Sequence, residues 1–309
     1  MANLVLKPGL TAVITGAGSG FGLELARLGA KKGLNLVLTD VQQDALDAAV
    51  AELKKTGVKV AAMRGDVSRA EDVQALADLC MERFGAPHIV INNAGVAHGG
   101  LIWEHTQRDW EWVLGVNLFG VIHGVRLFTR LMLAAAQKDP GYQGHIVNVA
   151  SMAGLLNSPN MGAYNVSKHA VVSLSETLYQ DLSLVTEQVH ASVLCPYFVP
   201  TGIHLSHRNR PAELRSEDKP TPSQMIAQAM STKAVTSGKV TAADTAALVY
   251  EAIEAGKFYI YTHPQALGMV QTRLEDVVQG RNPTDPFSGK PEIGEQLRKA
   301  LRDARAKGG

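Results

Sequence analysis

Short apolar runs alternate with longer segments of helical period along most of this chain, and no other feature limits its fold as much. Strand-like runs fall at residues 10–15, 34–39, 58–63, 88–92, 145–150, 190–195 and 258–262. They are apolar on both faces, which a strand tolerates when helices cover it above and below. Between them the pattern predicts a helix from the glycine turn to about residue 32, closed by Gly33, and others over 44–55, 106–136, 160–185 and 241–255. A further helix opens at Ser68-Arg69-Ala70-Glu71, spaced as a capping box, and ends near Phe84-Gly85. Thr241, with Asp244 three residues on, marks the start of the 241–255 helix. This alternation predicts one doubly wound α/β sheet of parallel strands.

At about 150 residues per domain, 309 residues would suggest two domains. The alternation instead points to a single domain over 1–263, with an insert at 202–239 and an extension at 264–309. The insert is polar, carries Pro211, Pro220 and Pro222, and is expected to be a loop acting as a lid. The extension carries apolar stripes at Leu267, Val270, Leu274 and Val277 and at Ile293, Leu297, Leu301 and Ala304. These need a host, in this subunit or a neighbour. Thirty basic and 29 acidic side chains leave a net charge of +1, which argues against a nucleic-acid partner. Cys80 and Cys195 are too few for a disulfide framework and fit a cytoplasmic location; Cys195, ending a strand, is expected to be an inert core thiol. No signal peptide and no membrane span are expected, since the uncharged stretch 141–167 is rich in Gly, Asn and Ser.

The turn Thr15-Gly16-Ala17-Gly18-Ser19-Gly20-Phe21-Gly22 joins the first strand to the first helix. It fits G-x-x-x-G-x-G and not G-x-G-x-x-G. Its glycines allow a tight turn and close approach of a diphosphate to backbone N–H groups, with the helix N-terminus facing the anion. Asp40 ends the second strand, where a carboxylate accepts from an adenosine ribose 2′-OH and repels a 2′-phosphate. At about 4 Å that repulsion is ~1 kcal/mol in water and ~4 kcal/mol at an effective dielectric of about 20.

Tyr164 and Lys168 stand four residues apart, on one helix face. Free tyrosine is only ~0.1% phenolate at pH 7. A neighbouring ammonium favours the phenolate, so Lys168 is expected to lower the Tyr164 pKa. Ser151 directly follows the fifth strand, at the carboxyl edge where α/β sheets bind ligands.

Taken in order, these motifs resemble the short-chain dehydrogenase/reductase family, in its non-extended type, over about residues 8–263. Asp66-Val67, Asn92-Asn93-Ala94-Gly95, Asn117 and the segment with Pro196, Val199 and Thr201 strengthen the likeness. The resemblance implies a Rossmann-type, seven-stranded parallel sheet in three layers, α/β/α, and NAD-dependent hydride transfer between a secondary alcohol and its ketone. Tyr164 would be the general acid/base and Ser151 would bond the substrate oxygen. Lys168 would hold the nicotinamide ribose, and Asn117 a water of the proton relay. NAD would lie on Gly16, Ser19, Gly20, Phe21 and Gly22. Asp40 would meet its ribose, Asp66 and Val67 the adenine, and Asn93 with Ala94 and Gly95 the adenosine side. Pro196, Val199 and Thr201 would line the nicotinamide, with Thr201 on the carboxamide. Met152, Tyr197 and Phe198 would join Ser151 and Tyr164 in a pocket for an apolar or aromatic substrate.

One departure stands out: Tyr197 follows the proline where the family usually has glycine. Two other readings remain open at this point. One is an NADPH-dependent ketoreductase, which Asp40 opposes. The other is a non-catalytic nucleotide-sensing regulator, which the intact Asn117, Ser151, Tyr164 and Lys168 set opposes. No metal is expected, because His204 and His207 lack carboxylate or Cys partners. Trp103, Trp110 and Trp112 are expected in the core or an interface, and 298–307 as a solvated amphipathic helix. The resemblance also implies a homodimer or homotetramer, formed through the helices near 106–136 and 160–185.

Overall fold

The computed structural model describes residues 4–215 and 219–307; residues 1–3, 216–218 and 308–309, which fall in the expected domain, insert and extension, lie outside it. Seven strands form one parallel sheet: β1 (Thr11–Thr15), β2 (Asn35–Asp40), β3 (Val60–Arg64), β4 (Ile89–Asn92), β5 (Gly144–Val149), β6 (Val189–Cys195) and β7 (Tyr259–Tyr261). Their order is β3-β2-β1-β4-β5-β6-β7, so the winding reverses between β1 and β4. Ten α-helices are described: α1 (Gly20–Lys31), α2 (Gln43–Lys54), α3 (Ala70–Phe84), α4 (Gln107–Leu114), α5 (Gly120–Lys138), α6 (Gly162–Val185), α7 (Pro222–Thr236), α8 (Ala242–Ala255), α9 (Leu267–Val278) and α10 (Pro291–Lys307).

Successive strand residues feed opposite faces, as the pleat requires. Ala12, Ile14, Leu36, Leu38, Ile89 and Ile91 pack with side chains of α1, α2 and α8. Val13, Val37 and Val90 pack on the other face with Leu76, Phe128, Met132 and Leu178 from α3, α5 and α6. Each Val, Leu, Ile, Phe or Met among them contributes about 1.5–3 kcal/mol by leaving water. The three layers and the doubly wound sheet therefore follow from strands buried on both sides.

Four local expectations are revised. Ser68 does not cap α3: its N–H and hydroxyl both donate to the Asp66 carboxylate, and the Asp66 N–H donates to Asp72. The expected 106–136 helix starts on a capping box of Thr106 and Asp109 but is interrupted by a π turn, Gly115–Phe119. The stretch Gln107–Lys138 is long and apolar enough to cross a membrane by length and composition; here it is the crossover from β4 to β5, with Phe128 and Met132 buried against the sheet. The 202–239 insert is mostly helical, with a 3-10 segment at Gly202–Asn209 and α7 begun by Thr221, Pro222 and Gln224 in a second capping box. In the extension, α10 lies on α7 and buries Leu297, whereas α9 turns Leu267 and Val270 inward and leaves Leu274 and Val277 exposed.

Helix α5 approaches β4 at a glycine. A Cβ on Gly124 would stand 2.0 Å from Asn92 Oδ1, and Asn92 is buried with its amide bonded to Asn148. Gly124→Ala should therefore push α5 off the sheet and cost about 1–3 kcal/mol. A urea midpoint equal to wild type, at unchanged slope, would refute this close approach.

Candidate active site

The turn after β1 is built for an anion. Gly16 and Gly20 take left-handed φ of 64° and 54°. A Cβ on Gly22 would stand 2.0 Å from the Gly16 carbonyl oxygen, so only glycine lets α1 start there. Ser19 is the N-cap of α1 yet makes no side-chain capping bond, and no acid stands in the first turn. The positive end of the helix is thereby left for a ligand, which fits the diphosphate of a dinucleotide. Asp40 Oδ2 accepts from the Gly18 N–H at 2.8 Å, and Oδ1 from the Gln42 N–H at 2.9 Å. These bonds fix the carboxylate at the cleft wall, and its remaining lone pairs can accept from a ribose.

The turn after β4 closes onto the first. The Thr15 hydroxyl accepts from the N–H groups of Asn93 and Ala94, both at 3.0 Å. The Asn93 amide donates to the carbonyls of Thr15 and Gly16. Between these turns runs a cleft lined by Gly16, Ser19, Gly20, Phe21 and Asp40, then by Asp66, Val67, Asn93, Ala94 and Gly95. Tyr164, Lys168, Pro196 and Thr201 line its other end. Gly22 and Val199 do not. Gly22 is consumed by the turn itself, and Val199 is buried in the interior.

Tyr164 and Lys168 sit one turn apart near the start of α6. Lys168 is almost wholly buried; its Nζ donates to the Val149 carbonyl at 2.9 Å and stands 5.8 Å from the Tyr164 ring centre. Burial pulls the Lys168 ammonium down to about 8, with Cys195 opposing. Burial also pushes the Tyr164 phenol above its ordinary value, and a hydrogen bond with the Ser151 side chain only partly offsets it. In this cleft desolvation dominates, and Ser151 rather than Lys168 is the group that opposes it. Ser151 caps the short turn Met152–Gly154 by accepting from the Ala153 N–H.

Asn117 occupies the π turn and is fully buried. Its Oδ1 accepts from the Val96 N–H, while its Nδ2 donates to the Val96 carbonyl and to Ser167. Both amide protons are committed, so the side chain anchors the loop after β4 to α6. Turns of this kind recur at functional sites because they shift a side chain out of helical register.

The remaining expected contacts lie apart from this cleft. Met152 is buried in the core. The Tyr197 ring packs tilted against Phe198, with centroids 4.3 Å apart, and meets His263 edge-on; residues 197 and 198 are both over a third exposed. Residue 197 does not take a left-handed φ, so the backbone does not need glycine there.

Sequence reasoning missed two features. Ile203, Ser206, Arg208 and Asn209 of the insert also line the cleft. Asp109 forms a buried ion pair with Arg210 at 2.6 Å and lies 3.2 Å from His98 Nε2. Burial pushes the Asp109 carboxyl up, but bonds from His98, Thr106 and Arg210 hold it well below the usual range. With His105 this makes a His-His-Asp group, yet the guanidinium already occupies the carboxylate. Nothing local in the sequence linked Asp109 to Arg210, which lies 101 residues away.

Comparison with known proteins gives a consistent picture. A family model for short chain dehydrogenases matches residues 10–211. A short-chain dehydrogenase/reductase from Burkholderia phymatum, solved in complex with NAD, is 52% identical with a TM-score of 0.89, over 92% of this chain and 100% of that one. The CLA biosynthesis dehydrogenase/reductase of Lactiplantibacillus plantarum is 33% identical over 86% of this chain and 92% of its own length. The 1-deoxy-11-beta-hydroxypentalenate dehydrogenase of Streptomyces avermitilis is 33% identical over 86% and 87%.

The buried ammonium has a measurable consequence. Lys168 loses its proton at about 8 when folded and at 10.5 when unfolded, so in that interval the unfolded chain binds more protons. Stability from this group therefore rises with pH across the interval, and below it the buried charge is a cost. The urea stability of wild type minus that of Lys168→Met should increase between about pH 7.5 and about pH 9.5. A difference independent of pH would mean that Lys168 is not desolvated.

Proposed function

The chain belongs to the short-chain dehydrogenase family, and we propose that it transfers a hydride between a secondary alcohol or its ketone and NAD, with Tyr164 as acid and base. One observation carries this reading: Tyr164, its Ser151 partner and Lys168 stand at the carboxyl edge of the sheet, beside the anion cradle of α1. The nicotinamide of NAD supplies the hydride chemistry when bound. The residues of this chain supply position and protons. The α1 N-terminus and the 16–20 turn hold the diphosphate, and Asp40 accepts from the adenosine ribose. Lys168 lies deep enough to bond the nicotinamide-side ribose.

Ser151 orients the substrate oxygen toward the Tyr164 hydroxyl. Burial favours the protonated phenol, which suits proton donation to a ketone oxygen as the C–H bond forms. In alcohol oxidation the same oxygen takes the hydroxyl proton and must first be a phenolate, which an ammonium at Lys168 stabilises. Asn117 contributes as a strut that fixes the loop after β4. The exposed rings of Tyr197 and Phe198, with Ile102 and Trp103 also exposed on the loop after β4, suggest an apolar or aromatic substrate. Asp40 favours NAD over NADP, since no cation offsets it at Ser19, Val41 or Gln42. The exposed Phe119 and Val166 support assembly as a dimer or tetramer through α5 and α6. The two unpaired, buried cysteines fit the cytoplasm.

Tyr164→Phe should lower turnover at least about a hundredfold, to near background, and leave the Kd for NADH unchanged. Substantial residual turnover on any alcohol or ketone oxidised or reduced by wild type would remove Tyr164 from the reaction. Asp40→Ala should narrow the NAD over NADP preference in kcat/KM by at least about fivefold. An unchanged ratio would mean that Asp40 plays no part in the choice.

A further inference from the structure

The cleft has a charge problem that its backbone donors do not solve. Asp40 and Asp66 line one end, and a dinucleotide diphosphate would add two further negative charges beside them. The α1 terminus contributes only about half a positive charge. Lys168 is buried at the far end and already bonded to the Val149 carbonyl. Among the described residues lining the cleft, the one other cation is Arg208.

Arg208 stands beside the cradle. A Cβ on Gly20, in the first turn of α1, would lie 3.4 Å from Thr201 Cβ. The next residue, Gly202, leaves a gap that the Arg208 guanidinium borders: a Cβ there would lie 3.2 Å from its Nη2. Arg208 is exposed and is bound by no ion pair or hydrogen bond among the described residues. The segment carrying it is nevertheless pinned on both sides. Ser206 Oγ accepts from the Ala97 N–H at 3.0 Å, and Arg210 is locked to Asp109. The segment that carries the guanidinium is thus already ordered, so only the side chain itself has to settle on a ligand. Its planar fork matches phosphate oxygens two at a time.

We propose that Arg208 binds the diphosphate of the dinucleotide, bringing the insert into contact with the cofactor beside the glycine turn. This role rests on the reading of the cleft given above. It makes the 202–209 segment part of the cofactor site.

The test is a fluorescence titration of wild type, Arg208→Gln and Arg208→Lys with NADH, with ADP and adenosine as competing probes. Loss of a charge-assisted bond should weaken NADH and ADP about tenfold in Arg208→Gln, with partial recovery in Arg208→Lys. Adenosine, which carries no phosphate, should bind all three proteins equally. The salt dependence of the NADH Kd should flatten in Arg208→Gln. Equal NADH affinity in wild type and Arg208→Gln overturns the proposal. So does an unchanged NADH Kd with a raised KM for the alcohol, which would assign the cation to the substrate. A wild type that binds neither NADH nor ADP overturns the dinucleotide reading of the cleft itself, and the Arg208 proposal with it. Equal melting temperatures of the ligand-free proteins would show that any loss arises at the ligand.

Discussion

The ends of β1 and β4 are laced together by the Thr15 hydroxyl and the Asn93 amide, and the site depends on that lacing. Crossovers leave these two strands toward opposite faces of the sheet, so a crevice opens between their carboxyl ends. Backbone turns alone would leave the crevice floor free to splay. Four hydrogen bonds fix it, and Gly16 permits the contact: a Cβ there would lie 2.9 Å from Ala94 Cα. Asp40, the α1 terminus and the loop to Asn117 are all placed relative to this one junction.

What was legible in the sequence and what was not divides along a physical line. The central strands β1, β2, β4, β5 and β6 were legible because burial on both faces gives them a pattern that does not depend on their partners. The Gly16–Gly22 turn, Asp40, Tyr164 and Lys168 were legible because short-range geometry fixes their spacing. The helix over 106–136 looked continuous, because a π turn inserts one residue without changing composition. Ser68 looked like a cap, because the competing acceptor, Asp66, differs from a cap only in where the chain bends. The insert looked like a loop although Thr221, Pro222 and Gln224 spelled a helix start. Arg208, Arg210 and Asp109 were beyond reach, since their roles exist only after the insert has folded back over α4.

Tyr164 and Lys168 show how a fold sets protonation by solvent exclusion. Tyr164 and Lys168 are both driven toward their neutral forms by burial, although the Tyr-Lys spacing alone suggests mutual ionisation. A site in that condition holds its proton on the phenol until a ligand changes the local field. The Asp109 carboxylate is treated in the opposite way. Asp109 is buried and kept ionised by direct partners, so it serves as a fixed anchor. Helix α6 thus carries groups driven toward neutrality by burial, and α4 a carboxylate held ionised by its partners.

The resting of α10 on α7 also has a consequence for how the insert is held. The seven strands and the 164–168 pair all precede α10 in the chain, whereas α7, inside the insert, has α10 packed against it. Helix α10 therefore braces the insert rather than the sheet. A loosened α10 would be felt first in the insert, whose 202–209 segment borders the cleft, and only later in the strands.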